Sequence, residues 1–195
     1  MKIDYQETTS DLLARIDIHS KYGSRDIDQW MLDIIQLKKG SKILDVGCGA
    51  GKQCFLYSDY THQKAEILGS DFSEELLDKA RQKLAERGDP NITFQFQDFN
   101  QKFPFDGATF DILSSAFAIY YASDLKFTFS EAHRVLKPEG VLAVSEFMPD
   151  PDYPSRRETI RTVGEAGFTV EAVERADHAR RALEVPGGDA ERGHD

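Results

Sequence analysis

The stretch Ser41–Lys52, Ser-Lys-Ile-Leu-Asp-Val-Gly-Cys-Gly-Ala-Gly-Lys, constrains this chain more than any other. Ile43, Leu44 and Val46 form a short, largely β-branched apolar run, the pattern of a strand buried in a parallel sheet. Gly47, Gly49 and Gly51 follow at alternate positions, so the chain must turn tightly where the strand ends. Glycines there admit positive φ and let backbone amides approach a ligand closely. A helix beginning near Gly51 would add free amides and a positive dipole end, suited to a carboxylate.

Two later stretches fall where a nucleoside site needs them. Ile67-Leu68-Gly69-Ser70-Asp71 is a second strand pattern ending in a carboxylate, about 20 residues on, the spacing of a ribose-binding acid. An aspartate accepts two hydrogen bonds from a vicinal diol. Removing it should cost ligand affinity and, at a strand end facing a cleft, little stability. Phe94-Gln95-Phe96-Gln97-Asp98 is a third strand pattern, also closed by an aspartate, which can accept from an exocyclic amine. Phe72 and Phe99, each directly after an acid, could enclose a base between them.

Ile43 to Gly51 resembles motif I of the class I S-adenosylmethionine-dependent methyltransferases. Asp71 is similar to that family's ribose acid, and Asp98-Phe99 to its adenine-contacting pair. Phe105 to Ser115, with Arg134-Val135-Leu136-Lys137-Pro138-Glu139-Gly140, resembles its later landmarks around the fourth and fifth strands. The likeness runs over about residues 25–150 and is nearest to the small-molecule branch that includes the ubiquinone and menaquinone biosynthesis methyltransferases. It implies S-adenosyl-L-methionine as cofactor, held by Asp45, Gly47, Cys48, Gly49, Gly51, Asp71, Phe72, Asp98, Phe99 and Ala116. It also implies that Ser114, Ser115, Ala116 and Phe117 run toward the sulfonium, with Ile119, Tyr120 and Tyr121 on the acceptor side. No catalytic base follows from the motifs, and no metal site is expected. A nicotinamide oxidoreductase would favour a wider Gly-x-Gly-x-x-Gly spacing, and a non-catalytic nucleoside-binding module would keep the same loop.

The expected fold is a doubly wound, Rossmann-like α/β/α sandwich, a mostly parallel sheet with helices on both faces. Apolar spacing predicts a helix over 26–37, closed by Lys38-Lys39-Gly40, with Trp30 in the core. A second helix is capped by Ser73 and stopped by Gly88, and a third covers 124–136 with His133 off its buried stripe. Pro138-Glu139-Gly140 reads as a turn in which Glu139 keeps negative φ, leading to a fifth strand over 141–147. A helix over 155–166 ended by Gly167 and a sixth strand over 168–173 complete the core. The organisation expected is a mobile cover over 1–24, a cofactor-binding domain over 25–175 and a poorly ordered tail over 176–195. Lysine and glutamine vanish after Lys137 while arginine multiplies, which points to a composite chain joined near 137–141.

A net charge of −10 argues against a nucleic-acid partner, whose binding runs on basic patches. An acidic balance does suit a cationic cofactor and a small-molecule acceptor. Cys48 and Cys54 have no metal or redox spacing, and with no membrane-length apolar run a cytoplasmic setting is expected.

Overall fold

The computed structural model describes residues 27–35, 37–145 and 156–168. In chain order these form α1 (Ile27–Ile35), β1 (Lys42–Val46), α2 (Lys52–Tyr60), β2 (Glu66–Asp71), α3 (Glu74–Arg87), β3 (Ile92–Phe96) and β4 (Phe110–Ala116). A single 3₁₀ turn (Ile119–Tyr121), α4 (Leu125–Val135), β5 (Leu136–Ser145) and α5 (Arg156–Glu165) follow. The cover expected over 1–24, the tail over 176–195 and all but the first residue of the sixth strand lie outside the described residues, as does the side chain of Trp30.

All four strand pairings are parallel, in the order β3-β2-β1-β4-β5. The chain steps outward from β1 to β3, then returns to the other side of β1 for β4. The reversal between β1 and β4 leaves a crevice at the carboxyl ends of those strands, where open α/β sheets bind ligands. One face of the sheet buries Ile43, Ile67, Ile92, Phe94 and Ile112 against Met31 and Ile35 of α1, Cys54, Phe55 and Tyr57 of α2, and Leu77 and Ala80 of α3. The other buries Leu44, Val46, Phe110 and Leu113 against Ala132 and Val135 of α4. The expected sandwich is therefore present.

Local chemistry sets the helix ends as the sequence predicts at two places. Ser73 caps α3, its side chain accepting from Leu76 N, and Gly88 ends it in a left-handed conformation at φ 71° with its N–H on Leu84 O. Asp124 caps α4 by accepting from Phe127 N at 3.0 Å. The first helix departs from expectation: α1 ends at Ile35, so the lysines at 38 and 39 lie in the connection and not in its last turn.

Between β3 and β4 the chain runs over 97–109 without a helix, and α4 pins this crossover. The Arg134 guanidinium donates to Phe105 O at 2.8 Å and Phe103 O at 3.0 Å, while Glu131 accepts from Phe103 N at 2.8 Å. Glu131 and Arg134 are themselves paired at 2.7 Å. Three backbone groups of an irregular segment are thus satisfied by two side chains one helical turn apart.

The end of α4 corrects the sequence reading. There is no separate turn at 138–140; β5 begins at Leu136, opposite Phe110, and a register shift lies between Phe110 and Ile112. Glu139 sits at φ 63°, against the negative φ expected, because the extra residues of this bulge must be absorbed in the left-handed region. Asp111 clamps the irregularity, accepting Lys42 N at 2.8 Å from β1 and Lys137 Nζ at 2.8 Å from β5. The expected joint near 137–141 falls inside this strand. A left-handed conformation costs a non-glycine residue about 1–2 kcal/mol, partly offset by the entropy glycine loses on folding. Glu139→Gly should therefore raise stability by about 0.5–1 kcal/mol in urea unfolding.

Candidate functional site

The glycine loop is built less for ligand amide contacts than its composition suggests. Gly47 N and Cys48 N both donate to Ser70 O, at 2.8 and 3.0 Å, Gly49 N donates to the Asp71 carboxylate at 2.8 Å, and Gly51 N donates to Cys48 O at 2.9 Å. The first three of these amides hold the loop onto the end of β2, and the fourth closes the turn on itself. All three glycines have positive φ, but for different neighbours. A side chain at Gly47 would lie 2.2 Å from the Ala118 methyl, and one at Gly51 would lie 2.7 Å from the Phe94 ring. At Gly49 a side chain would meet only Leu76, at an ordinary contact of 4.0 Å, so the positive φ and not crowding calls for glycine there. Gly51 caps α2, whose first amides lack intrahelical partners.

Asp45 and Asp71, both read as cofactor contacts, take different positions. Asp71 closes β2 and is largely buried; its carboxylate bonds Gly49 N at 2.8 Å and Ser73 N at 2.9 Å. Burial raises its pKa, and the backbone N–H groups of Ser73 and Gly49 oppose that rise. Because it anchors two backbone donors, removing it exposes both to desolvation, so the expectation of an unchanged stability does not hold. Asp45 lies beneath the loop, 1% exposed, accepting Ser114 Oγ at 2.6 Å and the Cys54 thiol at 3.6 Å. Burial pushes its pKa up to about 7 despite those hydrogen bonds. It underlies the loop and does not open onto the crevice.

On the other side of β2, Asp98 lies two residues beyond β3, not within it. One of its oxygens accepts Asn100 N at 2.8 Å and Asn100 Nδ2 at 3.0 Å. Asn100 Oδ1 in turn accepts Ser123 N at 2.7 Å and Ser123 Oγ at 2.9 Å. The segments after β3 and after β4 are joined by this one carboxamide. The two aromatics expected to enclose a base are unequal: Phe99 is 4% exposed and packed with Val46 and Phe103, whereas Phe72 is 44% exposed. Phe99 belongs to the core because its segment dives under α4, where Thr128 Oγ1 donates to Phe99 O at 3.2 Å.

Ala116 ends β4 opposite Ser145. Beyond it Phe117 stands at φ 58°, its N–H bonded to Ser145 O at 2.9 Å, and Ala118 rests on Gly47. Sequence reasoning missed Asn100, Ser123 and Ala118, and it named Ser114 without its bond to Asp45 beneath the loop. Small polar and apolar residues after strands carry no pattern, and only the fold brings them to the loop. Cys48 and Cys54 are buried free thiols, and His133 is exposed against Phe168. Among the described residues no cluster suits a metal ion.

Residues 37–183 match a family described as a methyltransferase domain, and the chain belongs to it. Demethylmenaquinone methyltransferase of Staphylococcus epidermidis is 34% identical over 116 residues, 60% of this chain and 47% of that protein. The chain thus spans about half the length of the curated relatives it matches. An S-adenosylmethionine-dependent methyltransferase structure from Aquifex aeolicus superposes with a TM-score of 0.69 at 24% identity, covering 83% of this chain and 89% of that one. The [4+2]-cyclase SpnF shares the fold at a TM-score of 0.67 and 20% identity, over 82% of this chain and 72% of that one.

Asp45 yields a signed pH prediction. Its folded pKa, about 7, exceeds the unfolded value near 3.8, so the stability it contributes is present at low pH and lost as pH rises through 7. Asp45→Asn removes that loss. The stability of the variant relative to the parent should grow by about 2–3 kcal/mol between pH 5 and pH 8, measured by urea unfolding at each pH.

Proposed function

We propose that this domain transfers a methyl group from S-adenosylmethionine to a small-molecule acceptor. The observation that carries the reading is the 2.8 Å bond from Gly49 N to the Asp71 carboxylate, which fixes a glycine turn against an acid at the end of the next strand. When bound, the cofactor supplies a methyl carbon on a sulfonium, which an acceptor lone pair takes as the carbon–sulfur bond breaks and a neutral thioether leaves.

The chain's own residues hold and orient. The Asp71 carboxylate, held by the backbone N–H groups of Gly49 and Ser73, keeps acceptor capacity suited to a ribose hydroxyl. Asp98 keeps for an adenine amine the oxygen that Asn100 does not use. The exposed Phe72 ring offers the base a face, and the open start of α2 suits the amino-acid carboxylate. Asp45 holds negative charge under the loop once ionised, which favours a cationic ligand. Displacement of this kind needs proximity and exclusion of water more than a base, so no residue is given a proton-transfer role.

The family supports the reading, and the named relatives that act on small molecules favour such an acceptor over a nucleic acid. Two unpaired thiols and the lack, among the described residues, of a helix long and apolar enough to cross a membrane favour a cytoplasmic setting.

Titration calorimetry should show binding of S-adenosylmethionine and S-adenosylhomocysteine and far weaker binding of nicotinamide dinucleotides; the reverse preference would remove the assignment. Asp71→Ala should weaken cofactor binding by about 1.5–3 kcal/mol and also destabilise the protein by roughly 1–3 kcal/mol, since Gly49 N and Ser73 N lose their acceptor. Undiminished affinity in a folded variant would show that Asp71 only braces the loop.

A further inference from the structure

The sheet ends at β3, and the outer edge of that strand is built for pairing. Ile67 N donates to Asn91 O at 2.9 Å and Gln97 N donates to Asp71 O at 2.9 Å, so residues 91, 93, 95 and 97 turn their backbone groups toward β2. Ile92, Phe94 and Phe96 turn theirs outward, and among the described residues no strand lies beyond them. Natural edge strands are commonly blunted by lysine, proline or a bulge. The run Ile-Thr-Phe-Gln-Phe has neither charge nor proline, and its register with β2 is unbroken. Phe96, at its end, is 50% exposed.

The two faces beside this edge differ. On one, the helix-free crossover leaves a cavity of about 420 Å³ between Leu68, Thr93 and Gln95 of the sheet and Pro104 and Phe105. On the other, α3 covers β2 and β3 through Leu77 and Ala80. Its flank toward α2 is marked by Lys83 and Arg87, whose charged groups lie 4.8 and 5.0 Å from the centre of the Phe55 ring. With about 3.6 residues per turn, the opposite flank, above the β3 edge, carries Glu74, Asp78, Arg81 and Ala85. All four are exposed, and Arg81 is bound to Glu74 and to Asp78 at 2.9 Å each. Exposed pairs of this kind contribute little to a single chain.

We propose that two copies of this chain join edge to edge through β3, antiparallel about a two-fold axis at Phe94. In that register every outward N–H and C=O of the edge gains a partner: Phe94 pairs with the partner's Phe94, and Ile92 with the partner's Phe96. The exposed Phe96 ring lands beside an isoleucine, a favourable cross-strand pair, and Thr93 meets the partner's Gln95 on the face that holds the cavity. Asp71 pairs with Phe96 and α3 opens three residues later, so Phe94, about 7 Å back along the strand, is level with the second turn of α3. The axis therefore passes close to Asp78 and Arg81. Strands lie about 4.8 Å apart, which sets the two copies of α3 about 10 Å apart, the packing distance of helices. Because they run antiparallel, the arginine of one copy faces the acids of the other, and Ala85 leaves room for the approach. This charge complementarity to itself favours a second copy over an unrelated strand. The pairing does not depend on the cofactor and is tested without it.

The test is sedimentation velocity on the full chain from about 1 μM to 1 mM, with the folding of each variant checked by its melting temperature. The parent should form a dimer whose dissociation constant rises with salt. Arg81→Glu, which sets acids against acids, should raise that constant about tenfold or more, and Asp78→Arg combined with Arg81→Glu should restore it. Phe96→Lys should raise it likewise by placing a charge on the edge. Oxidation of mixed Thr93→Cys and Gln95→Cys chains should give a cross-linked pair in higher yield than either variant alone, since these positions face each other. This cross-link decides the matter where a charge variant does not fold. A parent that stays monomeric throughout the range overturns the proposal, whether the edge is bare or serves a different chain. A dimer that ignores both Arg81→Glu and Phe96→Lys, or that gives no cross-link, uses another surface and overturns it as well.

Discussion

The end of β2 carries the weight of this site. Ser70 O takes two loop amides and the Asp71 carboxylate takes a third, so the turn after β1 is moulded on the neighbouring strand. That arrangement depends on the parallel register that sets Val46 against Ser70. A slip of one residue would turn Asp71 to the other face and leave the loop amides without acceptors. The glycines follow from the same constraint. Holding the turn so close to β2 brings it against Ala118 and Phe94, and only residues without a Cβ fit at 47 and 51.

A second constraint runs through the opposite face. Because the β3–β4 crossover has no helix, its backbone would be left unsatisfied unless another element supplied partners. Arg134 and Glu131 of α4 do so, and the segment that begins with Asp98 is thereby fixed to the helix that follows β4. Asn100 and Ser123 add a second tie between the same two segments, nearer the crevice. Asp98 and the turn at 119–121 therefore belong to one braced unit, and a displacement on one side is felt on the other.

The sequence made the strands and their order legible because buried parallel strands are short apolar runs, and because a carboxylate or glycine closes each of the first two. Helix ends were legible where a cap is chemically explicit, at Ser73 and Gly88. Legibility failed where geometry depends on partners distant in sequence. The bulge in β5 needs Asp111 and Lys42, from strands far away in the chain, so nothing in Pro138-Glu139-Gly140 distinguishes a turn from a strand. Asp45 and Asp71 look alike in the sequence, each at or next to the end of an apolar run. Their separation into an acid sealed by side chains and one that anchors the loop backbone rests on Ser114 and Cys54, which carry no pattern of their own. Phe72 and Phe99 fail to match for a similar reason: the core claims Phe99 because α4 covers it, whereas Phe72 stays 44% exposed among the described residues.

The fold by itself does not decide the reaction, since a cyclase shares it. The glycine loop fixed on the end of β2, with Asp45 buried beneath it, would serve any use of such a cofactor. The chemistry performed on the other side depends on the residues after β4, where the chain leaves ideal geometry at Phe117 and turns at Ile119–Tyr121. The elements proposed to hold the cofactor are strand ends and caps, whose local shapes follow from local physics. The elements that would choose the acceptor are a kink and a short turn, whose shapes are set by contacts with Gly47, Ser145 and Asn100 through Ser123. This division explains why a sequence can disclose its cofactor class while leaving its acceptor open: the first is written in hydrogen-bonding rules for strand ends, the second only in how three distant segments meet.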